Sequence, residues 1–424
     1  MAQTRTTATR RATGVAAAML GLAVLAPGAA RAQDDLVKRG EYLTRAADCA
    51  ACHNSPSGQA WVGGREFKLP MGVLYSPNIT PDPETGIGRY TDDEWVSMMH
   101  DGIGRGGKHL YPAMPYNSYT GMSRDDALAI KAYMFAQTPV KATAPENRMR
   151  FPFNQRWLMV GWNLFNNPDK RLEPVADKSA EWNRGAYLVE ALGHCAQCHT
   201  PRNFMQGLSG KHFAGASQQG WMSYNMTSDK DHGIGGWSDE QLVQYLGTGQ
   251  AEGRGPASGP MAEAVQHSLR YMTPADLKAI VVYLRDVPAL PDGPPALSAA
   301  AEPAPANVAS ASTGGGADAG SANGLGARVF AQACAGCHLP DGAGRQSPWA
   351  ALGGDHSTGD TAGNNIVQVL THGSQIETDQ GLMFMHGFTG AYTSAEMAAV
   401  SNYVIAHYSG RTGTVTAKDF KPAE

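Results

Sequence analysis

Cys49-Ala50-Ala51-Cys52-His53 shares its spacing with Cys195-Ala196-Gln197-Cys198-His199 and Cys334-Ala335-Gly336-Cys337-His338, and these three stretches hold all six cysteines of the 424-residue chain. Two cysteines three apart lie near each other on a short helical turn. Both thiols can therefore add to the two vinyl groups on one edge of a porphyrin, and the histidine that follows offers a nitrogen to the iron. A redox disulfide explains Cys-x-x-Cys but not a following His in every copy. A zinc site needs a second ligand pair, and no cysteine is left over for one. The sequence thus predicts three covalently bound haem c groups. Cys49, Cys52, Cys195, Cys198, Cys334 and Cys337 are the attachment residues, and His53, His199 and His338 are iron ligands.

The motifs recur at intervals of 146 and 139 residues, and the first two intervals echo each other outside the motifs. Arg39-Gly40-Glu41-Tyr42-Leu43 matches Arg184-Gly185-Ala186-Tyr187-Leu188, Asn78-Ile79-Thr80 matches Asn225-Met226-Thr227, and Gly86-Ile87-Gly88 matches Gly233-Ile234-Gly235. Such self-similarity indicates duplicated domains. Ser123 with Asp126, Thr273 with Asp276, and Thr393 with Glu396 have capping-box spacing. Helical periodicity follows each, clearest in Leu277, Ile280, Val281 and Leu284. A further helix is expected to lead into each motif, and Tyr133, Tyr283 and Tyr403 are expected to pack between these terminal helices. The expected fold class is all-α, with three tandem domains joined by linkers.

The sixth iron ligand separates electron carriage from small-molecule binding, because a second protein ligand closes the open face of the haem. Met114, in Leu110-Tyr111-Pro112-Ala113-Met114-Pro115, lies 61 residues after His53, and Met261, in Gly259-Pro260-Met261, lies 62 after His199. Proline-flanked loop methionines at a repeated distance are assigned as ligands. In the third unit Met385 is preferred over Met383 and His386, because it stands eight residues before Thr393, close to the nine from Met114 to Ser123. The remaining histidines, His100, His194 and His356 among them, show no metal-ligand pairing in the sequence, and most are read as ordinary loop or surface residues.

Residues 1–32 have the three-part layout of a secretory signal: Arg5, Arg10 and Arg11, then an apolar run from Val15 to Leu25, then Ala30-Arg31-Ala32. The run is too short to cross a bilayer, which takes about 20 residues. Removing the four arginines of the leader leaves 30 basic and 38 acidic residues, a formal charge of −8. This argues against nucleic-acid binding, which needs basic surface to neutralise phosphate. The chain divides into a signal peptide (1–32), domain 1 (33–141), a structured apolar linker (142–180), domain 2 (181–290), a Pro/Ala/Gly-rich flexible linker (291–322), domain 3 (323–410) and a polar tail (411–424).

With Tyr75-Ser76-Pro77-Asn78-Ile79-Thr80-Pro81-Asp82-Pro83, the Met114 loop and Gly193-His194-Cys195-Ala196-Gln197-Cys198-His199-Thr200-Pro201-Arg202 in place, the chain resembles the trihaem cytochrome c subunits of bacterial membrane-associated dehydrogenases. The resemblance implies class I cytochrome c-like domains. It also implies a separate catalytic partner, a flavoprotein, quinoprotein or molybdoprotein oxidising an alcohol, aldehyde or sugar acid, and electrons passing through three haems to ubiquinone or another acceptor. It implies a periplasmic location at the outer face of the cytoplasmic membrane. Several such subunits carry a long apolar or amphipathic C-terminal segment, whereas residues 411–424 are polar here, so peripheral attachment through a partner is expected. The alternative is a haem enzyme such as a multihaem peroxidase, which needs one open iron site; a candidate sixth ligand in every unit argues against it.

Overall fold

The computed structural model describes Met1 and residues 27–297, 322–344 and 347–420. The expected leader lies outside the described residues except for Met1 and residues 27–32, which are continuous with the helix Pro27–Ala46. The chain is mostly helical, 44% helix and 10% strand. The mostly helical character agrees with the expected all-α class, and the strands are short additions to it. They form small antiparallel pairs, such as Glu66–Leu69 with Gly72–Tyr75, Ala216–Gln218 with Trp221–Ser223, and Ser374–Thr378 with Gly381–Met385. Long connections between helices cannot leave backbone donors and acceptors unpaired, so they fold back on themselves as hairpins.

Three helix pairs carry the architecture. Pro27–Ala46 crosses Arg124–Phe135, Ala180–Ala186 crosses Pro274–Asp286, and Ala322–Val329 crosses Ser394–Ser409. A glycine sits at each crossing. A Cβ on Gly40 would lie 1.9 Å from the Ala129 carbonyl oxygen, one on Gly185 1.9 Å from that of Ala279, and one on Gly326 2.2 Å from that of Ala399. Only glycine permits backbones this close. Tyr133, Tyr283 and Tyr403 each bring their Cβ to the same glycine, at the helix interface expected of them.

The caps begin the second helix of each pair. Thr393 and Glu396 form a complete capping box. Ser123 and Thr273 accept from Asp126 N and Asp276 N. The carboxylates of these aspartates do not close the box but turn to Arg39 and Arg184. Burial opposes ionisation of Asp276. The hydrogen bonds from Arg184 and Tyr42, with the Arg184 charge, outweigh it and hold the carboxyl below the usual range.

The first two units are not separate globules. One apolar cluster contains Leu43, Trp95 and Ile130 together with Leu188, Ile280 and Leu284. A second cluster, with Phe330, Met397, Val400 and Ile405, belongs to the third unit. Val415 and Phe420 are buried in it, so the stretch expected as a polar tail from 411 completes that core. The linker expected to be flexible from Pro291 begins as packed chain: Arg411 donates to the carbonyls of Pro295 and Ala296, and Arg254 to that of Leu297. The remainder of this linker lies outside the described residues up to Ala322. Residues 142–180 are ordered; Arg148–Met149 adds a strand to Gly72–Tyr75, and Leu158–Asn166 is a helix.

Candidate haem-binding sites

Each Cys-x-x-Cys-His segment is a short helical turn: Cys49–His53, Ala196–His199 after Cys195, and Ala335–His338 after Cys334. After each turn the chain bends back, and a glycine N–H donates to the histidine carbonyl. The donors are Gly63 at 2.7 Å, Gly215 at 2.8 Å and Gly344 at 3.0 Å. All three glycines have φ between 72° and 87°, a conformation L side chains rarely adopt.

The histidine rings are held alike. Nδ1 of His53 donates to the Pro77 carbonyl at 2.9 Å, that of His199 to Tyr224 at 2.6 Å and that of His338 to Ala350 at 2.7 Å. A carbonyl only accepts, so the proton sits on Nδ1 and the Nε2 lone pair is left for a metal. Burial lowers the pKa of all three rings and favours this neutral form.

The repeated Asn-x-Thr segments hold the first two acceptors. Asn78 Nδ2 donates to the carbonyls of Val140 and Ala142, and Asn225 Nδ2 to those of Leu290 and Asp292. Each Asn Oδ1 accepts from the Thr N–H two residues on, at 2.8 Å. The Gly-Ile-Gly repeats pack so tightly on Thr80 and Thr227 that a Cβ on Gly86 or Gly233 would meet their carbonyl oxygens at 2.1 and 2.3 Å. The histidine acceptor is thus a backbone atom pinned to the chain beyond the second helix of each pair.

Cys49, Cys52, His53, Met114, Cys195, Cys198, His199 and Met261 line one continuous hollow of about 1920 Å³. Protein interiors pack at crystal-like density and do not keep apolar voids of this size. The residues present therefore fit rigid planar groups. Burial pushes the Cys49, Cys52 and Cys195 thiols up to about 12, and no two of the six cysteines pair as a disulfide. Among the described residues no group of three His, Cys, Asp or Glu side chains is placed to hold a metal ion.

The two units face each other through this hollow. Gln197, inside the second motif, donates to Asn117 and Ser118, just beyond Met114. Arg65 donates to Ala51 O, inside the first motif, at 2.6 Å and to Glu263, just beyond Met261, at 2.7 Å. Each attachment motif therefore abuts the other unit's methionine segment. Met114 lies in a turn with its N–H on Tyr111 O. Met261, expected in a loop, is instead in the first turn of the helix Gly259–His267, where Pro260 is tolerated because its missing N–H would be unpaired anyway.

The third site is more open. Cys337 is exposed and Cys334 half-buried. Met385 ends the strand Gly381–Met385 and packs, as Cys334 also does, on the buried cluster that contains Phe330. Met383 packs instead, as Met261 also does, on the cluster of Ala257, Ala262, Val265 and Ile376, and His386 is exposed. The hairpin reaches into the second unit, where Gln266 accepts from Glu377 N and Arg270 donates to Glu377 O.

Three of these histidines are not exposed surface residues. His100 is buried within the helix Asp92–Asp101. His194 stands edge-on to Tyr119 at 5.6 Å, and His356 stacks on Tyr224 at 3.9 Å. Burial lowers all three to about 4. Sequence reasoning did not single out Arg65, Glu263 or the histidine acceptors; Gln197 stood inside a quoted motif without a role.

The sequence model of the cytochrome c family matches residues 37–137 and 324–406. The fructose dehydrogenase cytochrome subunit of Gluconobacter japonicus is 36% identical over 409 residues, covering 93% of this chain and 84% of that one. The chain belongs to the cytochrome c subunits of bacterial membrane dehydrogenases. Within this family, the cytochrome c subunit of the quinone alcohol dehydrogenase of Gluconobacter oxydans is 35% identical, covering 96% of this chain and 86% of that one. A nicotinate dehydrogenase subunit of Pseudomonas putida is 39% identical over 90% of this chain, which spans only 31% of that longer protein. As a dehydrogenase cytochrome subunit the chain transfers electrons and carries covalent haem c alongside a catalytic subunit. No described helix is long and apolar enough to cross a membrane.

Proposed function

We propose that this chain is the trihaem electron carrier of a periplasmic dehydrogenase complex, built from three tandem class I cytochrome c-like domains. Haem would supply one-electron chemistry at each centre. Cys49 and Cys52, Cys195 and Cys198, and Cys334 and Cys337 would hold the groups, with His53, His199 and His338 as iron ligands. Met114 and Met261 would each supply a second protein ligand to the first two. Met385 would do so for the third, supported by its packing, like that of Cys334, on the buried cluster around Phe330. The leader-like segment 1–32 supports export, and the relatives' names support a partner that oxidises an alcohol, a sugar, a sugar acid or an N-heterocycle; the acceptor in this reading is ubiquinone or another respiratory carrier.

One observation carries the reading: the same locked histidine, Nδ1 on a backbone carbonyl, recurs at all three motifs. The protein's work is to orient these rings, exclude water and keep two centres adjacent. The Gln197 and Arg65 contacts hold the first and second motifs against each other's methionine segments. Stopped-flow visible spectroscopy tests the function. The isolated holo-chain should be reduced by its dehydrogenase plus substrate and reoxidised by a short-chain ubiquinone. Failure of either half-reaction with intact partners contradicts it.

A further inference from the structure

The residue before each attachment motif differs among the three units: Asp48, His194 and Ala333. Asp48 and His194 share a left-handed backbone, with φ at 51° and 39°, a region in which Asp and His are enriched. Asp48 is the N-cap of the turn Cys49–His53, where an aspartate ordinarily accepts from the first backbone N–H groups of the helix. Its side chain makes no such bond, and Oδ1 is buried without a hydrogen-bond partner. Asp48 instead lines the hollow together with Cys49, Cys52 and Cys198. Its charge reaches both cysteines of the first motif and Cys198 of the second. The groups around it are already committed. Arg65, whose charge also reaches Asp48, spends its guanidinium on Ala51 O and on Glu263 at 2.7 Å. Tyr119 donates its hydroxyl to Ala47 O at 2.7 Å. Burial lowers the pKa of His194, edge-on to Tyr119, and that of His267, on the Glu263 helix, and so favours neutral rings. Burial and the Glu263 charge push the Asp48 carboxyl well above its ordinary range, against Arg65. An ionised Asp48 thus has no cation of its own, which is costly inside a protein.

We propose that Asp48 sets the potential of the first haem: its unpartnered carboxylate lines the hollow, and the ferric centre supplies the positive charge it lacks. The inference rests on the haem-binding reading above. A ferric porphyrin core carries one more positive charge than a ferrous one, so a carboxylate in surroundings of low dielectric constant favours the oxidised form. Asp48 therefore lowers the potential of the first centre and, through its reach to Cys198, that of the second by less. The third unit, with Ala333, has no such acid. Reduction adds one electron, delivered from the dehydrogenase, and cancels the positive charge. Asp48 then takes one proton from solvent and becomes a neutral carboxyl; reoxidation releases both. The acid stands only in the first unit, so the duplicated domains differ in potential through one position of the repeat.

The test is a spectroelectrochemical titration of the purified full-length holo-chain from about pH 5 to about pH 9, the range in which buried carboxyls titrate. The first centre is identified as the one displaced in Met114→His. Its potential should fall as pH rises. Asp48→Asn should raise that potential at the alkaline end, changing the one-electron equilibrium constant about tenfold, or about 59 mV. The same variant should remove the pH dependence while keeping haem content and methionine-to-iron charge-transfer absorption. Asp48→Glu should restore both properties, and His194→Asp should lower the second centre. Native potentials in Asp48→Asn overturn the inference, as does a pH dependence that persists there, which would assign it to the haem propionates. Should Asp48→Asn fail to assemble, the native profile and His194→Asp decide: a first centre indifferent to pH, or a second centre unmoved by the new acid, overturns it. Haem content is measured on every sample, so absent haem, which fails the cytochrome reading, is distinct from an unmoved potential.

Discussion

The Tyr42 hydroxyl donates to Asp276 Oδ2 at 2.5 Å, joining residues 234 apart in sequence. The relationship is reciprocal: Tyr187 donates to Asp126 Oδ2 at 2.6 Å. Each tyrosine also accepts from the N-cap N–H of the other unit, Thr273 for Tyr42 and Ser123 for Tyr187. The duplicated Arg-Gly-x-Tyr-Leu segment thus does three tasks. Its Arg grips the capping Asp of its own unit, its Gly admits the helix crossing, and its Tyr clasps the other unit. The third unit has Leu325 and Arg328 where Arg and Tyr would stand, so it lacks the tyrosine that the exchange uses.

Replacing the two tyrosines by phenylalanine should loosen the paired units without removing haem. Each change deletes a partly buried hydrogen bond to a charged acceptor, worth about 1–3 kcal/mol. Thermal unfolding should show Tyr42→Phe and Tyr187→Phe each lowering Tm, with the double variant near the sum. An unchanged Tm in the double variant would show that the clasp contributes nothing.

The helix crossings make a sharper demand. Gly185→Ala places a methyl against the Ala279 carbonyl, with Tyr283 behind it, so the helices must separate. Overpacking of this kind costs about 1–3 kcal/mol. Gly161, where an added methyl group would meet nothing within 4 Å, is the control, and Gly161→Ala should be neutral or slightly stabilising on helix propensity. Circular dichroism melts of both variants decide the point.

The Asp276 carboxyl is held below its ordinary range in the folded chain. A depressed carboxylate contributes stability that is complete above its unfolded pKa, about 3.9, and is lost as pH falls through the folded value. Stability should therefore fall on acidification below about pH 4, and Asp276→Asn should flatten that part of the profile while lowering stability at pH 7. Equal acid sensitivity in the variant would remove Asp276 from the account.

Methionine as sixth ligand raises a haem potential relative to histidine. Met114→His and Met261→His should each lower the potential of one haem and abolish one equivalent of methionine-to-iron charge-transfer absorption, leaving the other two centres unshifted. Redox titration followed in the visible region reads both effects. Loss of no charge-transfer intensity in Met261→His would return that residue to the role of a helix side chain.

The parts readable from sequence were those whose chemistry is local. Covalent attachment and ligation impose a five-residue pattern, and an N-cap imposes a four-residue one, so Cys49 to His53 and Thr393 to Glu396 announced themselves. Asn78, Asn225 and the Gly-Ile-Gly segments were visible as repeats, but their task, pinning a carbonyl for the histidine ring, needs the fold. The acceptors Pro77, Tyr224 and Ala350 have unrelated side chains at 24, 25 and 12 residues from their histidines, and a backbone acceptor leaves no residue signature. The burial of Val415 and Phe420 was hidden because two apolar side chains in a polar stretch resemble a tail until a groove receives them. The shared core of the first two units was hidden because amphipathic periodicity shows which face is buried, not which partner covers it.

The central claim is that porphyrin iron is bound covalently at three places along one polypeptide, and a pyridine haemochrome assay on the purified chain, set against its amino-acid quantitation, tests it most directly. Three haem equivalents per chain is the expected result. Two or fewer, in protein whose six cysteines are intact, would contradict it.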